Sequence, residues 1–498
     1  MKPPFHPKHF AQVILALAAL TFTQCNKPAA DAPAGSTSTT TAPKSTGSAS
    51  GNSIAIISDG ASPGFRAVAS HLELGGRSYE YTETSATAKI AAFLDEIMKA
   101  LPAQERKGIP ADFSFAKLVN LLGLDSIAAV GSSSRARADG SYHARSFAYM
   151  PQGRKGLMTL SGGPAAKLLL LDFAPKDTDF AWEFPIYLKD FAKDVLPGLL
   201  AFMPTAERAQ FEQQMSQPVP PLGLTGKQII EKLDAHVGIF LRLDPSQKFQ
   251  PSPNAPPLPG ADGVLVIERL GWLVEALKPQ FMPMLSQPGG PVAVTDKDGV
   301  LTVRFNSPAG PPPMDFQPVV QFDSKADRIL IASRPALFDS VLAGKEKISQ
   351  GADFAQAWRD MPSDGNSCLY VSSRLLQTVS DIATKAVQRE AGSAAEMAIF
   401  GKIFEWVKPL ISRGQAVMLA NLPDGIFTAS NTSIPAAGST TTAVAVLAGL
   451  AVPAFSLRTP HINTPAARIK PTEEASPRHR VTPPPNVQQP SQSAPPPR

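Results

Sequence analysis

The stretch DGVLVIERLGWLVEALKPQF, residues 262–281, predicts the basic folding unit of this 498-residue chain. Its apolar run, residues 264–267, is typical of a buried β-strand, and apolar residues at helical spacing follow it. Residues 291–307, PVAVTDKDGVLTVRFNS, then hold two β-rich runs joined at Asp298-Gly299. Asp-Gly between such runs favours a hairpin, because both central residues of the preferred turn take positive φ. The predicted unit is β-α-β-β.

The same order recurs in other parts of the chain. Residues 368–379, CLYVSSRLLQTV, begin as a strand and continue at helical spacing, and a hairpin is predicted at Asp424-Gly425. Near the amino terminus, residues 115–130 suggest a helix followed by a strand, with a hairpin at Asp139-Gly140. A partial copy occupies residues 180–244. The chain is therefore predicted to contain weakly repeated strand-helix-hairpin units.

Hairpins of this kind favour antiparallel sheets, so the predicted class is α+β with helices packed on one face. The length exceeds what one growing core usually supports, which favours two lobes, residues 54–247 and 262–435. Residues 248–261 between them are rich in proline, which lacks a backbone N–H. They are predicted to form a linker.

The charge distribution argues against a nucleic-acid partner. Residues 1–52 carry a net +3 and residues 458–498 a net +4, so the total of +5 leaves −2 for residues 53–457. A nearly neutral central region does not provide the basic surface that phosphate backbones require.

The amino terminus carries an export signal. Lys2 and Lys8 precede the apolar residues 10–22, a run that is too short to span a bilayer, and residues 1–24 are predicted to be a signal peptide. Residues 25–53 are dominated by Ser, Thr, Ala, Gly and Pro and are predicted to be a flexible tether.

Cys25 directly follows this signal, and the arrangement resembles the lipid-attachment signal of bacterial lipoproteins. The resemblance implies acylation of Cys25 and a membrane-anchored protein on the periplasmic side of the cell envelope. Ordinary signal cleavage near residues 30–32 is the alternative. The repeated units behind such a signal also resemble some uncharacterised bacterial envelope proteins, a likeness that implies no established activity.

Metal and nucleophile signatures are missing from the sequence. His143 alternates with Arg145 and is interpreted as a solvated strand residue, and His236 as a polar residue at a strand start. Cys368 is interpreted as a small buried apolar residue without a disulfide partner. No catalytic, cofactor-binding or metal-ligating residue is predicted, and no cofactor.

Two motifs that suggest other chemistry are also interpreted structurally. Ser132–Ser134 lack the G-x-S-x-G context and are placed at a strand end or hairpin loop. Gly226-Lys227 is followed by Gln228 where a phosphate-binding loop needs Ser or Thr, so Thr225 is predicted to cap a helix instead.

The carboxyl-terminal region changes character. Residues 440–457, TTTAVAVLAGLAVPAFSL, carry no charge and are a candidate transmembrane or interfacial segment. Residues 458–498 are predicted to be a disordered, proline-rich basic tail.

These observations lead to one main functional hypothesis and two alternatives. The main hypothesis is a non-enzymatic, membrane-tethered envelope lipoprotein with a binding or scaffolding role. Its partners are the membrane, through lipid on Cys25 and through residues 440–457, and an envelope protein or polymer. The alternatives are an envelope hydrolase whose acid pair is assembled only in the fold, and a membrane-spanning assembly component acting through residues 440–457.

Overall fold

Apolar, β-rich runs from both ends of the sequence meet in one thirteen-stranded antiparallel sheet. The computed structural model describes residues 61–102, 104, 113–249, 257–285, 292–305, 317–390, 398–399, 401–402, 405 and 408–433. The α+β class and the antiparallel pairing predicted from the hairpins are confirmed. The predicted signal peptide, Cys25, the predicted tether, residues 440–457 and the predicted tail lie outside the described residues.

The strand order in the sheet is β1-β2-β3-β17-β16-β15-β5-β8-β9-β13-β12-β11-β10. These strands are β1 (Ser78–Glu83), β2 (Ala129–Ala136), β3 (Tyr142–Tyr149), β5 (Phe180–Tyr187), β8 (Asp234–Phe249), β9 (Leu258–Glu268), β10 (Val292–Lys297), β11 (Val300–Phe305), β12 (Val319–Asp323), β13 (Arg328–Ala332), β15 (Ser367–Val371), β16 (Gln415–Leu422) and β17 (Gly425–Thr432). Two short ribbons pair β4 (Ala166–Lys167) with β14 (Asp364–Gly365) and β6 (Pro218–Val219) with β7 (Leu224–Thr225).

The first helix precedes β1, and the other helices occupy connections between strands. They are α1 (Pro63–Ala69), α2 (Ala86–Ala100), α3 (Phe115–Leu121), α4 (Leu170–Phe173), α5 (Leu196–Ala201), α6 (Thr205–Ser216), α7 (Gly226–Lys232), α8 (Gly271–Leu285), α9 (Pro335–Ala343), α10 (Ala352–Ala357) and α11 (Ser373–Glu390). The predicted cap at Thr225 is confirmed, because its hydroxyl accepts from the Gln228 N–H and the Gln228 side chain accepts in return.

The three predicted Asp-Gly hairpins form, but for different local reasons. At Asp298-Gly299 both residues have positive φ, 55° and 85°, as the predicted turn requires. Gly140 also has positive φ, 81°. Gly425 instead begins β17, where a Cβ would overlap the backbone oxygen of Ala148. Glycine is needed there for close strand approach.

Three sets of strands share a topology. In β1-β2-β3, β5-β8-β9 and β15-β16-β17, three antiparallel strands lie side by side in chain order, with helices between the first and second. The unit at residues 262–307 has the predicted element order but a different arrangement. Its β9 is separated from β10 by β11, β12 and β13, because these strands form a meander that returns to β9.

The predicted lobe boundary at residues 248–261 is corrected, because the sheet does not divide there. Strands β8 and β9 include residues 248–249 and 258–261 and pair along their length, from His236 with Glu268 onward. The register shifts between Asp244 and Lys248, and such an irregularity tolerates proline in a strand. Strands β15–β17 of the second predicted lobe also lie between β3 and β5 of the first.

Helices pack on both faces of the sheet, where one face was predicted. We call face A the side that carries Phe147, Cys368 and Phe240, which belong to a continuous buried core that also contains residues of α1, α9 and α10. Face B is the opposite side. It carries two smaller clusters, one around Met158 and one under α8.

Candidate functional site

A buried carboxylate lies at the centre of face A. Glu183 on β5 is 0% exposed, and its two oxygens accept backbone N–H groups from Leu169 at 2.8 Å and Leu170 at 3.0 Å. A carboxylate removed from water is costly unless hydrogen bonds and charges compensate for the lost hydration. The start of α4 supplies part of that compensation.

An imidazole approaches Glu183 from the neighbouring strand. His236 on β8 is 4% exposed, and its Nε2 lies 2.9 Å from Glu183 Oε1. The two atoms are at ion-pair distance without the alignment of a hydrogen bond. His236 was predicted to be a polar residue at a strand start, and the structure places it in the interior instead, because β9 pairs along β8 on its other side.

A thiol lies on the other side of the carboxylate. Cys368 on β15 pairs directly with Glu183, and its Sγ is 3.8 Å from Oε2. Burial first, and the adjacent Glu183 second, raise the pKa of this thiol well above its ordinary value. The thiol therefore stays protonated. The predicted burial of Cys368 is confirmed, but its contact with a carboxylate was missed.

The cluster does not have the geometry of a cysteine nucleophile. Sγ lies at Oε2 of Glu183 while the imidazole of His236 lies at Oε1, so the carboxylate separates the thiol from the base. A reactive cysteine needs a cationic or basic neighbour that favours the thiolate. Cys368 has an anion beside it instead.

A cavity of about 170 Å³ opens beside this cluster, with His236 in its wall. Its mouth carries both signs of charge, because Arg269 Nε donates to Asp234 Oδ1 at 3.1 Å. Arg269 has a left-handed backbone, φ 62°, which is uncommon for a residue with a side chain. Its backbone N–H donates to the Asp327 oxygen at 2.9 Å, which holds the turn in place.

Two asparagines fix the rim of the cavity. The amide of Asn366 donates to the Gly163 oxygen at 2.9 Å, and its carbonyl accepts the Asn421 N–H at 2.7 Å. The amide of Asn421 also donates to the Gly163 oxygen, at 2.8 Å. Arg154 donates to the neighbouring Gly162 oxygen at 2.6 Å. Because both asparagines bind one loop, the rim is held in a defined shape before any ligand arrives.

His143 was predicted to lie on a solvated face, and this prediction is wrong. The ring is 3% exposed, its Nδ1 lies 2.6 Å from Asn431 Oδ1, and its Nε2 accepts from Arg145 at 3.1 Å. Burial lowers the pKa of His143. The cause is long-range, because β17 pairs with β3 and places Asn431 directly opposite His143.

The predicted placement of Ser132–Ser134 is also corrected. All three residues lie inside β2, buried, rather than at its end or in a loop. Gly226-Lys227 begins α7, in agreement with the capping prediction. Across the described ranges, no group of three or more His, Cys, Asp or Glu side chains is placed to hold a metal ion.

Buried carboxylates outside the cluster are occupied by structural partners. Asp179 accepts from Ser372 at 2.6 Å and is ion-paired with Arg374. Asp262 is ion-paired with Arg334 at 2.9 Å. Each of these groups has a cationic partner, so neither presents the free carboxyl that an acid pair for hydrolysis would require.

The sequence contained one weak signal for the cluster. In β5, FAWEFPIY, Glu183 occupies the inward-facing position between Ala181 and Pro185, where alternation predicts an apolar residue. A charged residue at such a position indicates a buried, partnered group. The partners His236 and Cys368 cannot be identified without the strand order.

Comparisons with known proteins give no family assignment. The chain matches no protein-family model, no curated protein and no solved structure. Among the helices of the described ranges, none has the length and apolar character needed to cross a membrane.

Proposed function

We propose that this protein is a non-enzymatic lipoprotein, anchored through Cys25 to a bacterial envelope membrane, whose α+β domain binds a small polar group. That group is either a free molecule or part of an envelope polymer. The observation that carries the binding role is the cavity beside the buried Glu183–His236 pair. The export signal and the tether of residues 25–53 support the location.

The cavity chemistry suits a ligand with both hydrogen-bond donors and acceptors. Asp234 supplies an acceptor and Arg269 a donor at the mouth, and His236 lines the interior. Pro164 and Pro185 contribute apolar wall. A concave site with a few fixed polar groups on apolar walls is the usual form of a small-molecule site.

Binding is favoured over catalysis by the state of the available groups. The described residues that line the cavity provide no hydroxyl, thiol or amine nucleophile. The nearby thiol of Cys368 is held protonated by burial and by Glu183. The second oxygen of Glu183 accepts a backbone N–H, so this carboxylate serves the structure of the site.

One observation favours a second candidate, an envelope hydrolase that uses His236 to activate water. A buried carboxylate beside an imidazole is the arrangement that orients a general base. His236→Gln distinguishes the two functions. A binding protein shows no turnover of its ligand in either form, whereas a hydrolase is expected to lose turnover by at least about 100-fold.

The anchoring proposal is tested by the intact mass and amino-terminal peptide of protein purified from membranes. An acylated Cys25 start supports it, together with loss of membrane partitioning in Cys25→Ala. A lipid-free start near residue 30, or unchanged partitioning of Cys25→Ala, contradicts it.

The cavity is tested by calorimetric titration of wild-type protein with a panel of amino acids and amino sugars. Ala166 lines the cavity, so Ala166→Leu should fill it and weaken binding at least tenfold. Its neighbour Lys167 does not line the cavity, and Lys167→Leu is the matched control. No binding by the wild type, or equal binding by both variants, would refute this site.

A further inference from the structure

An apolar row crosses the middle of face B. Leu369 pairs with Trp182, Trp182 with Ile239, Ile239 with Leu265, and Leu265 with Ile331, which takes the row straight across five strands. Side chains directly opposite one another in paired strands share a face. We call these five residues the strip.

The strip is incompletely covered. Leu369 is 38% exposed, and Leu241 beside the strip is also 38% exposed. The other four strip residues are half-buried. None of the five belongs to the clusters on either side, the one around Met158 and the one under α8. A contiguous, partly exposed apolar row on a sheet indicates a surface with an occupant.

We propose that residues 440–452 of the same chain, TTTAVAVLAGLAV, cover the strip. The segment has no charged side chain and is mostly apolar, so its chemistry matches that of the strip. This inference goes beyond the proposed binding function and assigns the segment to the domain surface rather than to a membrane.

The chain can reach the strip. β17 ends at Thr432, and its Ser430 is in register with Val417, which pairs with Leu369 at the end of the strip. Two strand spacings, about 10 Å, separate β17 from β15. Residues 433–439 span up to about 23 Å when extended. The connection is therefore long enough.

The length of the segment also matches the width of the strip. Four strand spacings across the strip measure about 19 Å. In helical form, residues 440–452 would measure about 20 Å at 1.5 Å per residue. A helix lying across the strands would thus contact the whole strip.

The distribution of side-chain size within the segment fits a one-sided contact. At helical spacing, Val446, Leu447 and Leu450 share one side, and Ala445, Ala448, Gly449 and Val452 share the other. The side with the two leucines would face the strip. Three of these four residues on the outer side are small, so that side would expose less apolar area to water.

A disulfide in the full-length chain tests the contact. Ile239→Cys is combined with Leu447→Cys in a Cys25→Ala background, oxidised, and mapped by peptide mass spectrometry, because both positions lie about 10 Å from the β15 end of the strip. The expected result is an intramolecular link in most molecules. The matched control is Val379→Cys with Leu447→Cys, because Val379 is 55% exposed on α11. Equal linking in the control, or links only between chains, would overturn the proposal.

A second measurement does not depend on disulfide geometry. In full-length protein that retains Trp182 as its only tryptophan, Leu447→Asp should increase acrylamide quenching at least twofold. Ala445→Asp, on the opposite side of the proposed helix, should change it less. The proposal fails if Leu447→Asp leaves quenching unchanged, or if vesicles of anionic phospholipid draw the segment out and expose Trp182 in the wild type.

Discussion

The two faces of the sheet differ in how continuous their apolar packing is. Face A carries one continuous core that includes Phe147 near one end of the sheet and Leu330 towards the other. Face B carries two separate clusters with the strip between them. The chain can close one face with its short helices and leave the middle of the other open, because a wide sheet presents more apolar area than these helices cover.

The buried polar groups of the two faces also differ in their hydrogen bonding. On face A the buried Glu183 has two backbone donors and an imidazole, so its charge is compensated inside the core. On face B near β17, the hydroxyls of Thr428 and Ser430 are buried without a hydrogen-bond partner. The buried carboxylate of face A is thus hydrogen-bonded, whereas these two buried hydroxyls of face B are not.

The largest expected effect comes from opening a cavity in face A. Phe147 is 0% exposed, and Phe147→Ala should reduce the free energy of unfolding by about 3–5 kcal/mol. Leu369→Ala on the strip should reduce it by about 1–2 kcal/mol, because the strands leave this side chain 38% exposed and only the proposed segment of residues 440–452 covers it. Urea unfolding of both variants measures the difference. Equal losses would remove the distinction between the faces.

Removal of the charge at Glu183 should have the next largest effect. Glu183→Gln presents an amide N–H₂ where one backbone N–H needs an acceptor. This change should reduce the free energy of unfolding by about 2–3 kcal/mol. Glu268 on β9 is a half-buried carboxylate 3.9 Å from Arg328, and Glu268→Gln should cost about 0.5 kcal/mol or less. Chemical denaturation at pH 7 compares them. A small loss at Glu183 would contradict its central role.

Gly425→Ala tests how closely the strands of face A approach. The added methyl group would meet the Ala148 oxygen and the ring of Phe147, so we expect a loss of about 1–3 kcal/mol. Gly163 has open space at its Cβ position and no positive φ. The free energy of unfolding of Gly163→Ala should stay within about 0.5 kcal/mol of the wild-type value. Thermal unfolding distinguishes the two variants, and identical midpoints would refute the close approach.

The smallest effect is expected at the tip of the β2–β3 hairpin. Hydrogen bonds from the Ser141 side chain and N–H lower the pKa of Asp139 from 3.8 to about 2. The ionised form is therefore favoured in the folded state, and its stabilisation is present above pH 3.8 and lost as the pH falls through about 2. Asp139→Asn should reduce the free energy of unfolding by about 0.5 kcal/mol at pH 7. The effect is this small because solvent screens the exposed carboxylate. The difference from wild type should vanish near pH 2 in a pH series of unfolding, and a difference independent of pH would contradict this assignment.

Local features of the fold were predictable from the sequence, and long-range ones were not. Asp298-Gly299 specifies its turn within four residues, and Thr225 specifies its cap within three. The pairing of β3 with β17 joins segments almost three hundred residues apart, as in the His143–Asn431 contact, and no local pattern encodes it. Both the lobe boundary and the environment of His143 were mispredicted for that reason.

In the candidate site, too, local features were predictable from the sequence and contacts between distant segments were not. The burial of Cys368 was predictable from its alternating strand, because burial depends on the local pattern. The position of Glu183 beside Cys368 was not predictable, because β5 and β15 become adjacent only through the order of strands in the sheet. The cavity depends further on Asn366 and Asn421, which bind a loop more than two hundred residues away.

The core of face A joins both halves of the chain into one sheet. Urea unfolding tests this with two single-tryptophan variants, one that retains Trp182 on β5 and one that retains Trp358, which stacks on Phe354 of α10. These two tryptophans lie on opposite sides of residues 248–261 in the sequence. If one sheet holds both, their unfolding transitions coincide with the same midpoint. Two transitions with separate midpoints would show independent lobes and contradict the single sheet.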